Sequence, residues 1–352
     1  MRRGGVYALM TVSALAGGAG VAALGVPAGW LSGSMFAVAL LALAGKAAQP
    51  PEPVRWAAMI FSGLAIGTAV TPAMMHSLSA YPLSLALMAV GVTAATFVSA
   101  AILRARPGWN RQTAFFASIP GALSFVFAVA TNVKGVDLPR MAVVQVSRVF
   151  LLMGVAPLVA AETGAHAAQL NVVYDSWPLV LMLLPFAVAA GYGLERLGLA
   201  AGLLFGAMFV SGIAHATGFA AGRAPPLLTA IAQMCIGAWV GARFSGFKRA
   251  VLQQSAAAAL ASFVAALALS AMFAGVATAM LGKPFAQTLL AFAPGGLEAM
   301  TLLAFALGVD PVYVGAHHLA RFFLISFALP LASRFYLGDD DPLTHSPDGP
   351  AQ

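Results

Sequence analysis

Long apolar stretches alternate with short polar loops along almost the whole chain. Ten of these stretches are continuous, near residues 6–24, 27–45, 55–75, 80–103, 139–161, 177–194, 198–217, 227–243, 250–280 and 312–333. Each approaches the roughly 20 residues that a helix needs to cross the hydrocarbon core of a bilayer. The pattern therefore predicts an all-α membrane protein.

Two further apolar stretches, residues 112–132 and 286–307, carry a proline and a glycine in their interior. The pairs are Pro120-Gly121 and Pro294-Gly295. Proline lacks a backbone donor and glycine loosens a helix, so each stretch is predicted to form a broken helix. Non-helical backbone survives at membrane depth only where it is buried in protein or lines an aqueous cavity.

The sequence is duplicated. Residues 29–36 read GWLSGSMF and residues 202–209 read GLLFGAMF, at an offset of 173, and the two Pro-Gly pairs are offset by 174. Matches in the same order at nearly constant spacing indicate two copies of one unit. The predicted parts are a first membrane repeat, 1–170, a second membrane repeat, 171–336, and a disordered cytoplasmic tail, 337–352.

The distribution of basic residues sets the expected topology. If each broken helix enters the membrane and returns, each half has five crossings and the two halves are inverted. All loop Lys and Arg residues except Arg223 and Lys283 then face the cytoplasm, as the positive-inside rule requires. The residues that would move outside if the broken helices crossed are Lys134, Arg140, Arg196, Arg243, Lys248 and Arg249. We therefore expect inverted repeats with re-entrant breaks in a bacterial inner membrane, with both termini cytoplasmic.

Composition agrees with a membrane protein and narrows the function. Of the 352 residues, 61% are hydrophobic and 8% are charged, whereas about 25% of residues are charged in soluble domains. The net charge of +7 is scattered over loops and predicts no nucleic-acid surface. A single cysteine, Cys235, excludes an intrachain disulfide. Because no enzyme motif or metal-ligand spacing occurs, we expect no enzyme activity, no metal and no cofactor.

Two arginines, Arg148 and Arg321, interrupt apolar helices at equivalent positions of the repeat. An arginine at mid-helix costs about 2.5–3.5 kcal/mol on insertion scales, so a retained pair indicates a use. Gln145 precedes Arg148 by three residues and His318 precedes Arg321 by three, which places each pair on one helix face. His317 points about 100° away from His318 on a regular helix.

Glu298 is the only carboxylate well inside a predicted membrane segment, and Ser124 is its counterpart in the first half. Two arginines against one glutamate leave a positive pocket, and half-helices that start after the breaks add their positive ends. We therefore hypothesise a site for an anionic solute, with Glu298 or His318 as proton carrier. The candidate substrate-binding residues are Arg148, Arg321, Gln145, His318, Glu298, Ser124, Pro120, Gly121, Pro294, Gly295 and Gly296. Two alternatives stay open: the arginines lock helices together through carbonyl groups or a carboxylate, or they reach lipid headgroups.

Other polar and small residues have structural interpretations. Asp137 and Asp310 precede helix starts and are predicted to cap them. His317 and His318 are expected to pack or to form hydrogen bonds. Glycines at four-residue spacing on the second helix of each half favour close helix packing. These glycines are Gly29, Gly33, Gly202 and Gly206.

These motifs together resemble the AbrB family of bacterial membrane proteins over about residues 6–336. The first set is Pro120-Gly121-Ala122-Leu123-Ser124, Gly135-Val136-Asp137 and Gln145-Val146-Ser147-Arg148. The second set is Pro294-Gly295-Gly296-Leu297-Glu298, Gly308-Val309-Asp310 and His318-Leu319-Ala320-Arg321. The resemblance implies a polytopic inner-membrane protein. The family has been described as a regulator of gene expression and as an ammonia monooxygenase.

The preferred function is a secondary transporter or permease of a small anionic solute. Its expected partners are the lipid bilayer, the solute and a coupling ion, without nucleic acid, and a homo-oligomer is left open. The alternative is a membrane regulator or sensor that affects gene expression indirectly. A monooxygenase ranks third, because His317, His318 and Glu298 are too few to hold its metal.

Overall fold

The computed structural model describes residues 3–68, 81–120, 123–131, 133–162, 174–197, 199 and 201–337. Its elements are the helices α1 Arg3–Ala23, α2 Gly29–Leu43, α3 Glu52–Gly67, α4 Tyr81–Arg104, α5 Arg111–Ser118, α6 Leu123–Ala130, α7 Leu138–Glu162, α8 Trp177–Arg196, α9 Gly202–Ala216, α10 Pro226–Ala242, α11 Arg249–Leu281, α12 Phe285–Phe292, α13 Leu297–Ala306 and α14 Pro311–Leu337. Gly121, the connector 163–173 and the predicted tail beyond Leu337 lie outside the described residues, and so do the side chains of Ser124 and Glu298.

Six of the described helices are long and apolar enough to cross a membrane, namely α1, α4, α7, α8, α11 and α14. The helices α2, α9 and α10 are also apolar but shorter, with 15, 15 and 17 residues. The all-helical fold fits the predicted multi-pass membrane protein. The helices follow the predicted apolar segments, with their ends shifted by a few residues, except that the end of the predicted segment 55–75 lies outside the described residues.

Helices pack in the same pairs in the two halves. Helix α1 lies against α2 as α8 lies against α9. Glycines allow the close approach, because a Cβ on Gly33 would meet the backbone of Gly17 and one on Gly206 would meet the backbone of Gly191. The other two predicted glycines meet the neighbouring helix backbone in the same way. The predicted close packing at these four positions is confirmed.

Glycines also bring one half into contact with the other. Helix α3 lies against α9, and α10 lies against α2. A Cβ on Gly63 of α3 would meet the carbonyl oxygen of Leu204, and one on Gly237 of α10 would meet the carbonyl oxygen of Leu31. Because Leu31 and Leu204 are themselves equivalent in the repeat, one inter-half contact occurs twice.

Two alanines share an uncommon backbone conformation. Ala28 and Ala201 have φ angles of 52° and 55°, and they are the only non-glycine residues with positive φ in the described ranges. This conformation costs an L-residue about 1–2 kcal/mol. Both alanines directly precede the second helix of their half. The two copies therefore enter that helix through the same strained turn.

Basic side chains gather at one end of the helices. Arg55, near the start of α3, and Arg243, just after α10, both lie over the ring of Trp239, at 5.8 and 4.5 Å from its centroid. At the opposite end of α3, Thr68 Oγ1 accepts a hydrogen bond of 3.3 Å from the backbone N–H of Ala224. The protein thus has one end rich in loop arginines and a second end at residues 68 and 224.

The end that contains Thr68 also holds a buried acid–histidine pair. His215 Nε2 lies 3.0 Å from Asp175 Oδ2, and both side chains are 6% exposed. The same carboxylate accepts a hydrogen bond of 2.9 Å from the backbone N–H of Gly222 through Oδ1. The pair ties the segment before α8 to the loop after α9.

Candidate functional site

Both predicted helix breaks are present. Helix α5 ends at Ser118 and α6 begins at Leu123, and α12 ends at Phe292 and α13 begins at Leu297. We call residues 119–122 the first break and residues 293–296 the second break. The backbone is extended at Ile119 with ψ of 122°, and at Ala293 and Gly296 with ψ of 144° and 142°. A proline within each break cannot continue the hydrogen-bond ladder of the helix.

The two membrane arginines lie deep in the protein. Each is 2% exposed. Arg148 lies ten residues after Leu138 in α7, and Arg321 ten residues after Pro311 in α14. At 1.5 Å per residue this depth is about 15 Å, which is half of a 30 Å hydrocarbon core. The guanidinium groups are therefore buried about 15 Å along helices that are long and apolar enough to cross a membrane.

Arg148 holds the first break. Its Nη1 donates to the carbonyl oxygen of Ser118 at 2.9 Å, and its Nη2 donates to that of Ile119 at 2.7 Å. Gln145, one turn earlier on the same face, donates from Nε2 to the carbonyl oxygen of Phe116 at 2.8 Å. These carbonyls belong to the last turn of α5 and the residue after it, where helix carbonyls lack partners within the helix.

Arg321 holds the second break with a related arrangement, in which one of the two acceptor positions is shared with the first half. Its Nη1 and Nη2 donate to the carbonyl oxygens of Ala293 and Gly295, both at 2.6 Å. His318 Nε2 lies 2.9 Å from the carbonyl oxygen of Leu290, which corresponds to Phe116 in the first half. The duplicated sequence pattern thus encodes a duplicated contact, a guanidinium fork over the negative end of a half-helix.

These contacts favour the helix-locking interpretation that the sequence left open, through carbonyl groups. A half-helix C-terminus carries about −0.5 of a charge, so the positive fork is electrostatically favourable there. Both terminal nitrogens of each arginine are used by backbone carbonyls. Arg148 Nε is buried without a hydrogen-bond partner among the described residues.

The site is positive on balance. Neither Arg148 nor Arg321 forms an ion pair in the described part of the chain. Two guanidiniums contribute +2, two half-helix C-termini about −1 and the two following N-termini about +1. An ionised Glu298, at the second position of α13, would still leave about +1. The two breaks and their arginines therefore carry a net positive charge.

The second break packs against the helix that carries the first arginine. A Cβ added to Gly295 would lie 2.9 Å from Cδ2 of Leu152, and one added to Gly296 would lie 4.0 Å from Cγ1 of Val149. Val149 directly follows Arg148 on α7. The two halves therefore meet at the breaks.

Two apolar cavities lie at equivalent places in the two halves. The first, about 110 Å³, lies between α4, α5 and α14 and is lined by Ile119 and Ile325 among others. The second, about 220 Å³, lies between α11, α12 and α7 and is lined by Ala293 and Leu152 among others. Ile119 corresponds to Ala293 in the repeat, and Leu152 corresponds to Ile325. Each cavity is walled by the break of one half and the last helix of the other.

The aspartates before the last helix of each half cap those helices, as predicted. Asp137 Oδ1 accepts from the backbone N–H of Arg140 at 3.0 Å. Asp310 Oδ1 accepts from the backbone N–H groups of Val312 and Tyr313 at 2.9 and 3.0 Å. Burial raises the pKa of the Asp310 carboxyl, and the two backbone hydrogen bonds oppose that rise. The caps fix the start of the helices that carry the arginines.

Sequence reasoning missed one polar cluster beside the second break. His317 Nε2 lies 2.8 Å from Ser84 Oγ on α4, and the rings of Tyr81, Tyr313 and Phe292 surround the imidazole. The sequence indicated only that His317 faces away from His318, and it gave no signal for Ser84. Nothing in the sequence around a single serine in an apolar helix indicates a hydrogen-bond partner 233 positions away.

Comparison with known proteins supports the resemblance noted from the motifs. The family described as "Transition state regulatory protein AbrB" matches residues 5–337. The chain is 27% identical over 340 residues to "Putative regulator AbrB" of Escherichia coli (strain K12), covering 94% of this chain and 96% of the relative. It is 24% identical over 351 residues to "Uncharacterized protein YhjN" of Bacillus subtilis (strain 168), covering 90% and 89% of the two chains. No solved structure matches.

Proposed function

The chain belongs to the AbrB family, and on that premise we propose that it is a secondary transporter of a small anionic solute in a bacterial inner membrane. The observation that carries the proposal is the pair of helix breaks, each held by a buried arginine on a helix long and apolar enough to cross a membrane. Discontinuous helices at corresponding positions of two repeats are the best sequence pointer to a transporter binding site. The substrate would bind beside the second break, where that break packs against the helix that carries Arg148.

An anionic substrate follows from the charge of the site. Its guanidinium groups and helix ends leave a net positive charge of about one unit, even with Glu298 ionised. Arg148 Nε supplies a buried donor that no described residue uses. In a low-dielectric site such a donor costs free energy until an acceptor arrives. A carboxylate or phosphate oxygen would supply both the acceptor and the compensating charge.

The proposed architecture is two inverted repeats of five crossings, each with a re-entrant break. The start of α5 is tied to the segment before α7, because Asn110 Nδ2 donates to the carbonyl oxygen of Gly135 at 2.5 Å. If α5 and α6 crossed in line, Ala130 would lie about 30 Å from Asn110. The five residues from Ala130 to Gly135 can span at most about 18 Å. This limit supports a return of α6 to the side on which α5 starts.

The second half supports the same path. Lys283, just before α12, is close enough to Asp310 for its charge to lower the pKa of that carboxyl. Helix α13 ends at Ala306, four residues before Asp310. Four residues bridge at most about 14 Å. The start of α12 and the end of α13 are therefore expected on one side of the membrane.

Labelling of single cysteines tests this topology. In a Cys235→Ala background, Lys134→Cys is expected to react with a membrane-impermeant maleimide only from the cytoplasmic side, and Lys283→Cys only from the periplasmic side. This result is expected because, in the proposed topology, the chain enters the membrane and leaves it on the same side at each break. Lys46→Cys, cytoplasmic whether the breaks cross or return, is the matched control. Reversed sidedness at Lys134 and Lys283, both of which follow the first break in the chain, would show that the first break crosses.

Flux measurements test the transport function. Purified protein in proteoliposomes is expected to accumulate at least one anion of a panel of radiolabelled acetate, succinate, glutamate, phosphate and sulfate when a proton or sodium gradient is imposed. Neutral acetamide and glycerol should not accumulate, because the site carries uncompensated positive charge. Protein-free liposomes and vesicles without a gradient are the controls. Accumulation of the neutral compounds instead of the anions would contradict an anion site.

The name of the Escherichia coli relative, "Putative regulator AbrB", favours a sensor as the second candidate. A sensor would bind an anion of the same panel in detergent without moving it across a membrane. Deleting its gene would then change transcription in cells. Binding by the purified protein with no gradient-driven flux in proteoliposomes would therefore replace the transporter proposal with the sensor.

A further inference from the structure

The two apolar cavities beside the breaks differ in size, although they occupy equivalent places in the repeat. The first cavity has a volume of about 110 Å³ and the second a volume of about 220 Å³. In other proteins an apolar cavity of about 150 Å³ holds a benzene molecule. The second cavity therefore has room for a hydrocarbon group of about six carbons.

The difference in size follows from two positions of the repeat. At the offset of 174, Phe97 and Phe115 of the first cavity correspond to Ala271 and Leu289 of the second. The rings of Phe97 and Phe115 pack against each other, with their centroids 6.5 Å apart. The second half has an aromatic ring at neither position. The space that two rings occupy beside the first break is therefore partly open beside the second.

The second cavity is also the more enclosed of the two. The residues that line it are all buried or half-buried. Among the residues that line the first cavity, Thr93, Phe97 and Ala328 are exposed. Lipid chains around the protein therefore have access to the first cavity. The enclosure of the second cavity favours a small solute as its occupant over a membrane lipid.

The second cavity lies beside both arginines. Leu152, which lines it, follows Arg148 by four residues and lies on the same face of α7. Ala293 also lines it, and its carbonyl oxygen accepts the hydrogen bond of 2.6 Å from Arg321 Nη1. The two guanidinium groups are near enough for their charges to interact. A ligand in this cavity can therefore place a polar end beside the guanidinium groups.

The chemistry of the site differs between its two ends. Arg148 is 2% exposed, and its Nε has no hydrogen-bond partner among the described residues. A carboxylate oxygen would accept from this donor in a charge-assisted hydrogen bond and offset its charge. The side chains that line the cavity are all alanine, valine, leucine or phenylalanine. The site is therefore complementary to a molecule with one anionic end and an apolar body.

We propose that the second cavity holds the hydrocarbon tail of the transported anion, and that the substrate is a monocarboxylate with an apolar chain of about four to six carbons. This inference rests on the proposed transport function and names the substrate class of that same site. The carboxylate lies beside Arg148 and the second break, and the tail extends between α7, α11 and α12. A dicarboxylate of the same length would place its second charge among apolar side chains, which is costly.

Binding of a homologous series to the whole protein tests the tail. The protein is held in phosphatidylcholine nanodiscs at neutral pH, and calorimetry measures the Kd of acetate, propionate, butyrate, valerate and hexanoate. Empty nanodiscs correct for partition into lipid. Each added methylene is expected to lower the Kd about fourfold, or roughly 200-fold from acetate to hexanoate, because each buried methylene contributes a similar free energy. Hexanamide, which lacks the charge, and adipate, which adds a second charge, should bind at least about tenfold more weakly than hexanoate.

The repeat itself supplies the matched variants. Ala271→Phe installs the residue type of Phe97 and is expected to fill the second cavity, so that the Kd changes little from acetate to hexanoate. Leu267→Trp, one turn earlier on α11, is a second filling variant in case Ala271→Phe does not fold. Ala328→Phe narrows the first cavity instead and should keep the fourfold step.

The possible results separate the tail from the transport function. A Kd that is the same from acetate to hexanoate, or a fourfold step that persists in both filling variants, would overturn the proposal. Equal binding of hexanamide and hexanoate, or no binding of any acid of the series, would overturn it as well. Wild-type protein that binds the series as expected but moves no panel anion in proteoliposomes counts against transport and leaves the tail site in place.

Discussion

Replacing Arg321 with methionine is expected to destabilise the folded protein by about 1–3 kcal/mol, because the carbonyl of Gly295 loses the donor that Arg321 supplies and an orphaned buried acceptor costs about 1–3 kcal/mol. The carbonyl of Ala293 keeps the backbone N–H of Gly295 as a donor. Methionine fills a similar volume, so lost packing adds little. Thermal unfolding in detergent measures the effect. The protein's single cysteine, Cys235, is partly buried and reports unfolding through reaction with a thiol-specific dye.

A lysine at the same position separates charge from geometry. Arg321→Lys keeps the positive charge but replaces a planar fork with a single ammonium, which cannot reproduce two parallel hydrogen bonds. Its melting temperature should fall between those of the wild type and Arg321→Met. If Arg321→Met unfolds at the wild-type temperature and only loses binding of the panel anions, the arginine serves the ligand and does not hold the break.

Alanine at Gly191 is expected to destabilise the protein by about 1–3 kcal/mol, the usual cost of overpacking. Its Cβ would lie 2.8 Å from the Cα of Leu203, so α8 and α9 would have to separate. Gly191 also lies against Gly206 of α9, and Gly17 and Gly33 form the equivalent pair in the first half. Thermal unfolding through Cys235 again supplies the measurement.

Gly193, two residues further along α8, offers a matched control. A Cβ there would meet nothing within 4 Å. Gly193→Ala should therefore be neutral or stabilise the helix by about 0.5–1 kcal/mol, since glycine in a helix is costly. The two substitutions are identical in chemistry and expected to be opposite in sign. Equal melting temperatures for both variants would refute the close packing of α8 on α9.

The sequence was sufficient for the features that repeat along the chain. Apolar segments located the helices because a membrane crossing has a characteristic length. Pro120 and Pro294 located the breaks because proline acts on its own backbone. The equivalence of Arg148 and Arg321 marked them as a pair, and the three-residue spacing to Gln145 and His318 placed each pair on one face.

The sequence was insufficient for contacts between distant segments. It left open whether the arginines bind a ligand, a carboxylate or carbonyls. Every residue has a backbone carbonyl, so the sequence cannot indicate which carbonyls an arginine binds. It named Glu298 or His318 as proton carrier, and no observation tests that prediction. It gave no signal for the hydrogen bond between His317 on α14 and Ser84 on α4, because the two positions have no relation in the sequence.

Each of the two cavities is lined by residues from both halves, and this arrangement bears on how the chain is synthesised. Ile119 at the first break lines the same cavity as Ile325, which is synthesised about 200 residues later. At about 5–20 residues per second, the ribosome needs roughly 10–40 seconds to cover that interval. During this time the first broken helix sits in the bilayer with one side unsealed. Co-translational insertion must therefore proceed through an open-sided intermediate, and the nascent first half is the natural client for an insertase or chaperone.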